Sequence, residues 1–118
     1  MRSMKHEMRL REAPFRAIAC GQKTVEMRLY DEKRQKICVG DEILFIHAER
    51  EEERLFCRVT ALWRFASFAE LYKTLPLTAC GYTAEEARTA SPDDMAQYYS
   101  PEEQERYGVL AIGISRIE

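Results

Sequence analysis

The fold is decided by Gly21-Gln22-Lys23-Thr24-Val25-Glu26-Met27-Arg28. From Thr24 to Tyr30, polar and apolar side chains alternate, which predicts a half-buried β-strand. Its apolar face holds Val25, Met27 and Leu29, and its polar face holds Thr24, Glu26, Arg28 and Tyr30. Charged groups cost free energy when they lose water. The charges of this stretch therefore either face solvent or have a role.

The segments on either side predict both helices and further strands. Pro14 is expected to begin a short helix over residues 14–20, and Gly21 to end it. Apolar or alternating runs predict strands over residues 42–47, 55–65 and 109–114. In the long strand 55–65, one face is expected to hold Leu55, Cys57, Val59, Ala61 and Trp63. Trp63 is expected to lie in the core or at the mouth of a barrel.

Four short helices are predicted between the long strand and the last strand. Each begins with a residue that favours the N-cap position, followed by proline or by a capping acid. These residues are Ser67, Thr83, Ser91 and Ser100. The order of helix, strands, helices and strand indicates an α+β fold with a mostly antiparallel sheet, whose edges a small barrel would close.

Length and charge limit the classes of function. The 118 residues suit one domain spanning residues 1–118. A net charge of −2 argues against a protein that coats nucleic acid by bulk electrostatics. Residues 1–28 contain seven basic and three acidic side chains, whereas residues 82–107 contain two basic and seven acidic ones. An anionic ligand is therefore expected against the N-terminal part.

The cysteines do not indicate a metal site. Cys20, Cys38, Cys57 and Cys80 are widely spaced and form no C-x-x-C pair, so no metal or cofactor is expected. Each is expected to be a small buried side chain. No secretory signal or membrane-spanning run is visible, which predicts a cytoplasmic protein without a membrane partner.

The charged stretch has the spacing G-x-K-x-x-E-x-R, which resembles the signature of the ASCH domains in the PUA-like superfamily. Further similarities are Pro14-Phe15, Val39-Gly40-Asp41 and Tyr107-Gly108-Val109, so the resemblance covers nearly the whole chain. It implies a PUA-like fold, a small mostly antiparallel β-barrel with flanking helices. It also implies an RNA- or nucleotide-binding module, linked to RNA metabolism or translation, with a cleft beside the signature strand.

The residue chemistry suits such a cleft. Lys23 suits a phosphate, Arg28 can form paired hydrogen bonds with one, and Glu26 can accept a hydrogen bond from an exocyclic amine. Aromatic rings stack on bases, and the candidates are Tyr30, Tyr98 and Tyr99. The expected partner is RNA or a modified nucleoside. The alternative is that Glu26 and Arg28 form only a structural ion pair on an exposed strand.

Two other functions stay open. Some relatives resemble amidohydrolases that act on N4-acetylcytidine, and others resemble ribonucleases, with Lys23 and Glu26 as the catalytic candidates here. The amidohydrolases have threonine at the position of Glu26 and a further catalytic glutamate, for which the candidates are Glu70 and Glu85. This departure favours binding over catalysis. The third candidate is a protein-interaction domain that uses the acidic C-terminal helices.

Overall fold

The computed structural model describes residues 4–117, which form a five-stranded sheet with helices packed around it. The strands are β1 (Lys5–Leu10), β2 (Val25–Leu29), β3 (Glu42–His47), β4 (Arg54–Phe65) and β5 (Val109–Arg116). Their order in the sheet is β1-β3-β4-β5-β2. Strands β1 and β3 are parallel, whereas the other neighbours are antiparallel. The sheet curls into a half-barrel, so the expected mostly antiparallel α+β fold of PUA-like type is confirmed.

Helices connect several of the strands. They are α1 (Glu12–Ala19), α2 (Phe68–Thr74), α3 (Ala84–Ala87) and α4 (Pro101–Tyr107), with 3₁₀ turns at Arg34–Lys36 and Pro92–Gln97. All four predicted N-caps accept a hydrogen bond from a backbone N–H of the following turn. Gly21 follows α1 with a φ of 85°, a conformation that glycine adopts without strain. These predictions are confirmed.

Two element predictions are wrong. Strand β1 was not predicted, although its side chains alternate between exposed and buried, with His6, Met8 and Leu10 facing inward. Its exposed positions are charged and its first buried residue is a histidine, so the apolar pattern is weak. Helix α1 begins at Glu12, before Pro14. Proline is tolerated there because the first turn has no hydrogen-bonding partner for its N–H groups.

The predicted face of the long strand is also wrong beyond its middle. A β-bulge between Val59 and Ala61 shifts the register against β5. The alternation holds through Val59 and then changes, because an extra residue turns the following side chains to other faces. Trp63 is consequently 38% exposed instead of lying in the core, whereas Leu62 packs against the interior. Of the cysteines, Cys57 and Cys80 are buried as expected, but Cys20 and Cys38 are exposed.

Apolar side chains pack on both sides of β2 and β5. One cluster, which includes Phe45 and Ile112, fills the interior of the half-barrel with the inner side of α1. The second includes Met27 and Phe68 and lies beneath α2. Strand β2 therefore has its apolar face in the second cluster, while its charged face pairs in register with Leu110 and Ile112 of the first. The charged face of β2 points into the molecule, not into open solvent.

Candidate functional site

Glu26 is the centre of the site and is only 4% exposed. It lies in the middle of β2, directly across from Ile112 of β5. A carboxylate in such a position needs charged partners and hydrogen bonds to offset its lost hydration. Both are present.

Four donors surround the Glu26 carboxylate. Lys23 Nζ lies 2.8 Å from Oε1, and the Met27 backbone N–H donates to the same oxygen at 3.2 Å. Arg28 donates from Nε to Oε2 at 2.9 Å, and its Nη2 also lies 2.9 Å from Oε2. Lys23 is itself buried, and the Arg28 side chain is largely so. We call Lys23, Glu26 and Arg28 the buried charge cluster.

The charges within this cluster stabilise one another. Burial alone would raise the pKa of Glu26, but the charges of Lys23 and Arg28 and their hydrogen bonds outweigh it and lower the pKa to about 2. Burial alone would lower the pKa of Arg28, whereas the Glu26 carboxylate raises it above its ordinary value. The ion pair of the alternative interpretation is present, but it is buried and does not lie on an exposed strand.

The local backbone geometry positions the Lys23 side chain beside Glu26. The Lys23 N–H donates to the carbonyl of Ala17 at 3.0 Å, which ties the turn after α1 to the helix. The aliphatic part of Lys23 passes over Gly81, where a Cβ atom would lie 3.1 Å from Lys23 Cδ. Gly81 also has a φ of 113°, which side-chain-bearing residues rarely adopt. Glycine at position 81 therefore leaves the space through which the lysine reaches the carboxylate.

Arg28 also links the two edges of the half-barrel. Its Nη2 donates to the backbone carbonyl of Arg9 on β1 at 2.8 Å, and Lys33 Nζ donates to the carbonyl of Glu7 on the same strand at 2.6 Å. Side chains thus connect β2 and the loop after it to β1. Among residues 4–117, no acceptor contacts the Nη1 amino group of Arg28.

A cavity of about 450 Å³ opens beside the buried charge cluster. This volume lies within the range typical of small-molecule sites. Its walls come from three parts of the chain: the β1–α1 junction, strand β2 with the turn before it, and residues 80–99. At the rim, the Arg11 guanidinium lies 4.9 Å from the centre of the Tyr98 ring. This arrangement offers a cation and an exposed aromatic ring to the same ligand.

The structure brings most of the predicted site residues together. The cavity is lined by Lys23, Glu26, Arg28, Tyr98 and Tyr99. Tyr99 packs parallel to Phe68 with ring centres 6.1 Å apart, so one of its faces is already covered. Tyr98 is 45% exposed, and the Arg11 guanidinium lies over its ring.

Three predicted residues lie elsewhere. Tyr30 does not line the cavity; it packs against the interior cluster, with the Arg64 guanidinium 4.0 Å from the centre of its ring. Glu70 accepts a hydrogen bond from the Ala66 N–H, and neither Glu70 nor Glu85 lines the cavity. Neither of the two glutamates considered from the sequence as a further catalytic carboxylate therefore lies in the cavity.

Other polar residues of the cavity were missed. They are Arg9, Arg11, Tyr82, Glu86, Asp94 and Gln97. The excess of basic residues in the N-terminal part indicated the side on which the arginines lie. The N-cap at Ser91 was predicted from the proline that follows it, and neither Asp94 nor Tyr82 was distinguished.

Two kinds of feature are absent from residues 4–117. No group of three or more metal-ligating side chains converges there. None of the helices in this range has the length and apolar character that crossing a bilayer requires.

The comparisons with known proteins agree with this fold. The ASCH domain family profile matches residues 8–118. The crystal structure of hypothetical protein PH0355 is 34% identical, with a TM-score of 0.78, and the alignment covers 97% of this chain and 100% of that one. The solution structure of PF0455 from Pyrococcus furiosus is 30% identical, with a TM-score of 0.67 and coverages of 98% and 99%.

A more distant structure shares the fold alone. The ASCH protein from Zymomonas mobilis is 16% identical, with a TM-score of 0.56, and the alignment covers 92% of this chain and 66% of that one. No curated protein matches the chain. Because the family profile matches nearly the full length and the similar structures superpose over the same span, the chain belongs to the ASCH domain family.

Proposed function

We propose that this ASCH domain binds RNA or nucleotides in the cavity beside the buried charge cluster. The observation that carries the proposal is the combination of Arg28 Nη1, which has no acceptor among residues 4–117, with the Arg11–Tyr98 pair at the rim of the same cavity. Arginine suits phosphate, and an exposed tyrosine ring suits a base. Association with nucleic acid is also the general function of the ASCH family.

Charge distribution supports a small ligand over a long duplex. The cavity wall contains Arg9, Arg11, Lys23 and Arg28, but Glu26 offsets part of this charge. The net charge of the chain is −2. Bulk attraction for a polyanion is therefore weak, and binding depends on a few contacts in the cavity. A short single-stranded RNA or a free nucleotide fits this pattern.

The salt dependence of binding tests the proposal. The logarithm of the affinity for single strands changes with the logarithm of salt concentration by about −0.7 per phosphate contact. We expect Arg11→Ala to make this slope shallower by about 0.7, measured by fluorescence anisotropy with a short single-stranded RNA. Arg11 caps α1 without a side-chain hydrogen bond, so this substitution leaves the helix start intact.

The matched control is Arg54→Ala, which removes an exposed arginine that does not line the cavity. Its slope should equal that of the wild type. If Arg11→Ala and Arg54→Ala change the slope equally, the RNA is held by diffuse surface charge and the cavity is not the binding site.

Hydrolysis is the second candidate, because Lys23 and Glu26 both line the cavity. The environment of Glu26 favours binding instead. A carboxylate with a pKa of about 2 is a weak base at neutral pH, and both of its oxygens already accept hydrogen bonds. Release of cytidine from N4-acetylcytidine by the wild type, and its loss in Lys23→Ala, would favour the amidohydrolase over the binding module.

A further inference from the structure

One carboxylate in the cavity is held in place without a cationic partner. Asp94, in the 3₁₀ turn Pro92–Gln97, is half-buried and lines the cavity. Its Oδ2 accepts from the Tyr82 hydroxyl at 2.9 Å and from the Ser91 N–H at 3.2 Å. Within the described part of the chain, Asp94 forms no ion pair and its Oδ1 accepts no hydrogen bond.

The donor and the acceptor can be assigned in both hydrogen bonds of the Tyr82 hydroxyl. The Tyr72 and Tyr82 hydroxyl oxygens lie 2.6 Å apart. Because the single proton of Tyr82 goes to Asp94, Tyr72 must donate to Tyr82. The two hydrogen bonds therefore run in one direction: Tyr72 donates to Tyr82, and Tyr82 donates to Asp94. These hydrogen bonds occupy Oδ2 of Asp94 and leave Oδ1 as the acceptor that remains for a ligand.

The geometry points to Asp94 as the residue that selects a nucleotide with an exocyclic amino group on its base. This inference rests on the proposed function, since it assigns a role within the same cavity. The cavity combines cations from residues 9–28, suited to phosphate, with a fixed acceptor from residues 80–99, suited to an amino donor. A base that lacks the amino group would leave a desolvated carboxylate oxygen without a partner, which is costly.

Tyr82 is a positioning residue, because its hydroxyl orients the Asp94 carboxylate. Removing its hydroxyl leaves Oδ2 with the Ser91 N–H as its one remaining donor, so the carboxylate is held less firmly and discrimination between ligands should weaken more than overall binding. Glu86 also lines the cavity, and its Oε1 accepts from the Thr83 N–H. It is exposed and held by a single backbone donor, so water competes for it and its contribution to selectivity is smaller.

The test compares ligands that differ only in the amino group. Adenosine 5′-monophosphate is paired with purine riboside 5′-monophosphate, and cytidine 5′-monophosphate with the monophosphate of the pyrimidin-2-one riboside. Each is titrated by calorimetry, both free and within a short single-stranded RNA. The wild type should prefer the amino ligand of at least one pair by about fivefold or more.

The variants assign that preference to one side chain. Asp94→Asn keeps an oxygen for Tyr82 and Ser91 but places an amide NH₂ where Oδ1 was, so the preference should vanish. Tyr82→Phe should reduce it. The matched control is Asp93→Asn, an exposed neighbour that does not line the cavity, and it should keep the wild-type preference.

The outcomes separate the two proposals. Equal binding of the amino and non-amino ligands in both pairs, or a preference that survives Asp94→Asn, overturns the role of Asp94 and leaves nucleotide binding in place. If neither the nucleotides nor the RNA binds, the proposed function itself is wrong, and the inference is lost with it.

Discussion

Replacing Glu26 by glutamine should lower the free energy of unfolding by about 3–5 kcal/mol, the usual cost of removing one partner from a buried ion pair. The glutamine fills the same space but leaves Lys23 and Arg28 in a poorly hydrated site without their negative charge. The total stability of a domain is typically about 5–15 kcal/mol, so this change is large. Urea denaturation measures it directly.

The control for this substitution is Glu52→Gln, the same chemical change at an exposed position with no described contact. Its midpoint in urea should match that of the wild type within about 0.5 kcal/mol. Equal midpoints for the two variants would contradict the structural role of Glu26. The triple variant Lys23→Met/Glu26→Leu/Arg28→Met should recover much of the loss, because no uncompensated charge remains.

Acid titration provides a second readout of the same substitution. The folded-state pKa of Glu26 is about 2, below its ordinary value of 4.5. A lowered folded-state pKa stabilises the protein fully above the unfolded-state pKa, and this stabilisation is lost as the pH falls toward the folded-state value. The stability difference between the wild type and Glu26→Gln should therefore shrink between about pH 5 and pH 2.

Replacing Tyr98 by alanine should weaken binding of single-stranded RNA by about 5- to 150-fold, because stacking of one base on an aromatic ring contributes about 1–3 kcal/mol. Tyr98 is the most exposed of the tyrosines that line the cavity, and Arg11 lies over its ring. The substitution also removes the contact that orients Arg11 at the rim. Equilibrium binding by fluorescence anisotropy provides the measurement.

Phe56→Ala is the matched control for Tyr98→Ala. Phe56 is 49% exposed, close to the 45% of Tyr98, but it lies on the outer face of β4 and not in the cavity. Its loss should leave the affinity for RNA unchanged. An equal loss of affinity in both variants would place the RNA on the outer surface of the sheet. An unchanged affinity in Tyr98→Ala would show that Tyr98 does not stack on a base.

Local signals predicted much of the fold. The alternation in β2, the glycine after α1 and the four N-caps are properties of neighbouring residues, so a single sequence contains them. The bulge at Val59 and the parallel pairing of β1 depend on partners far along the chain. The sequence contains no local pattern for either, which is why Trp63 was assigned to the same face of the strand as Val59.

Prediction of the site from the sequence is limited in the same way, to contacts between neighbouring residues. Alternation placed Glu26 and Arg28 together on one face of β2, but it could not show that this face is buried. The covering residues come from distant segments, with Tyr99 and Cys80 close enough to influence the charges there. Asp94 was not recognised, because its contact with Tyr82 joins two separate turns.

Titration of the ¹⁵N-labelled protein with a short single-stranded RNA, followed by amide chemical shifts, tests the central claim most directly. The claim is that the cavity beside Lys23, Glu26 and Arg28 binds the ligand. We expect saturable shifts at the cavity-lining residues Arg11, Lys23, Met27, Gly81 and Tyr98, and none at the outward-facing Phe56 and Arg58. Shifts confined to the outer face of β4, or no shifts at saturating RNA, would contradict it.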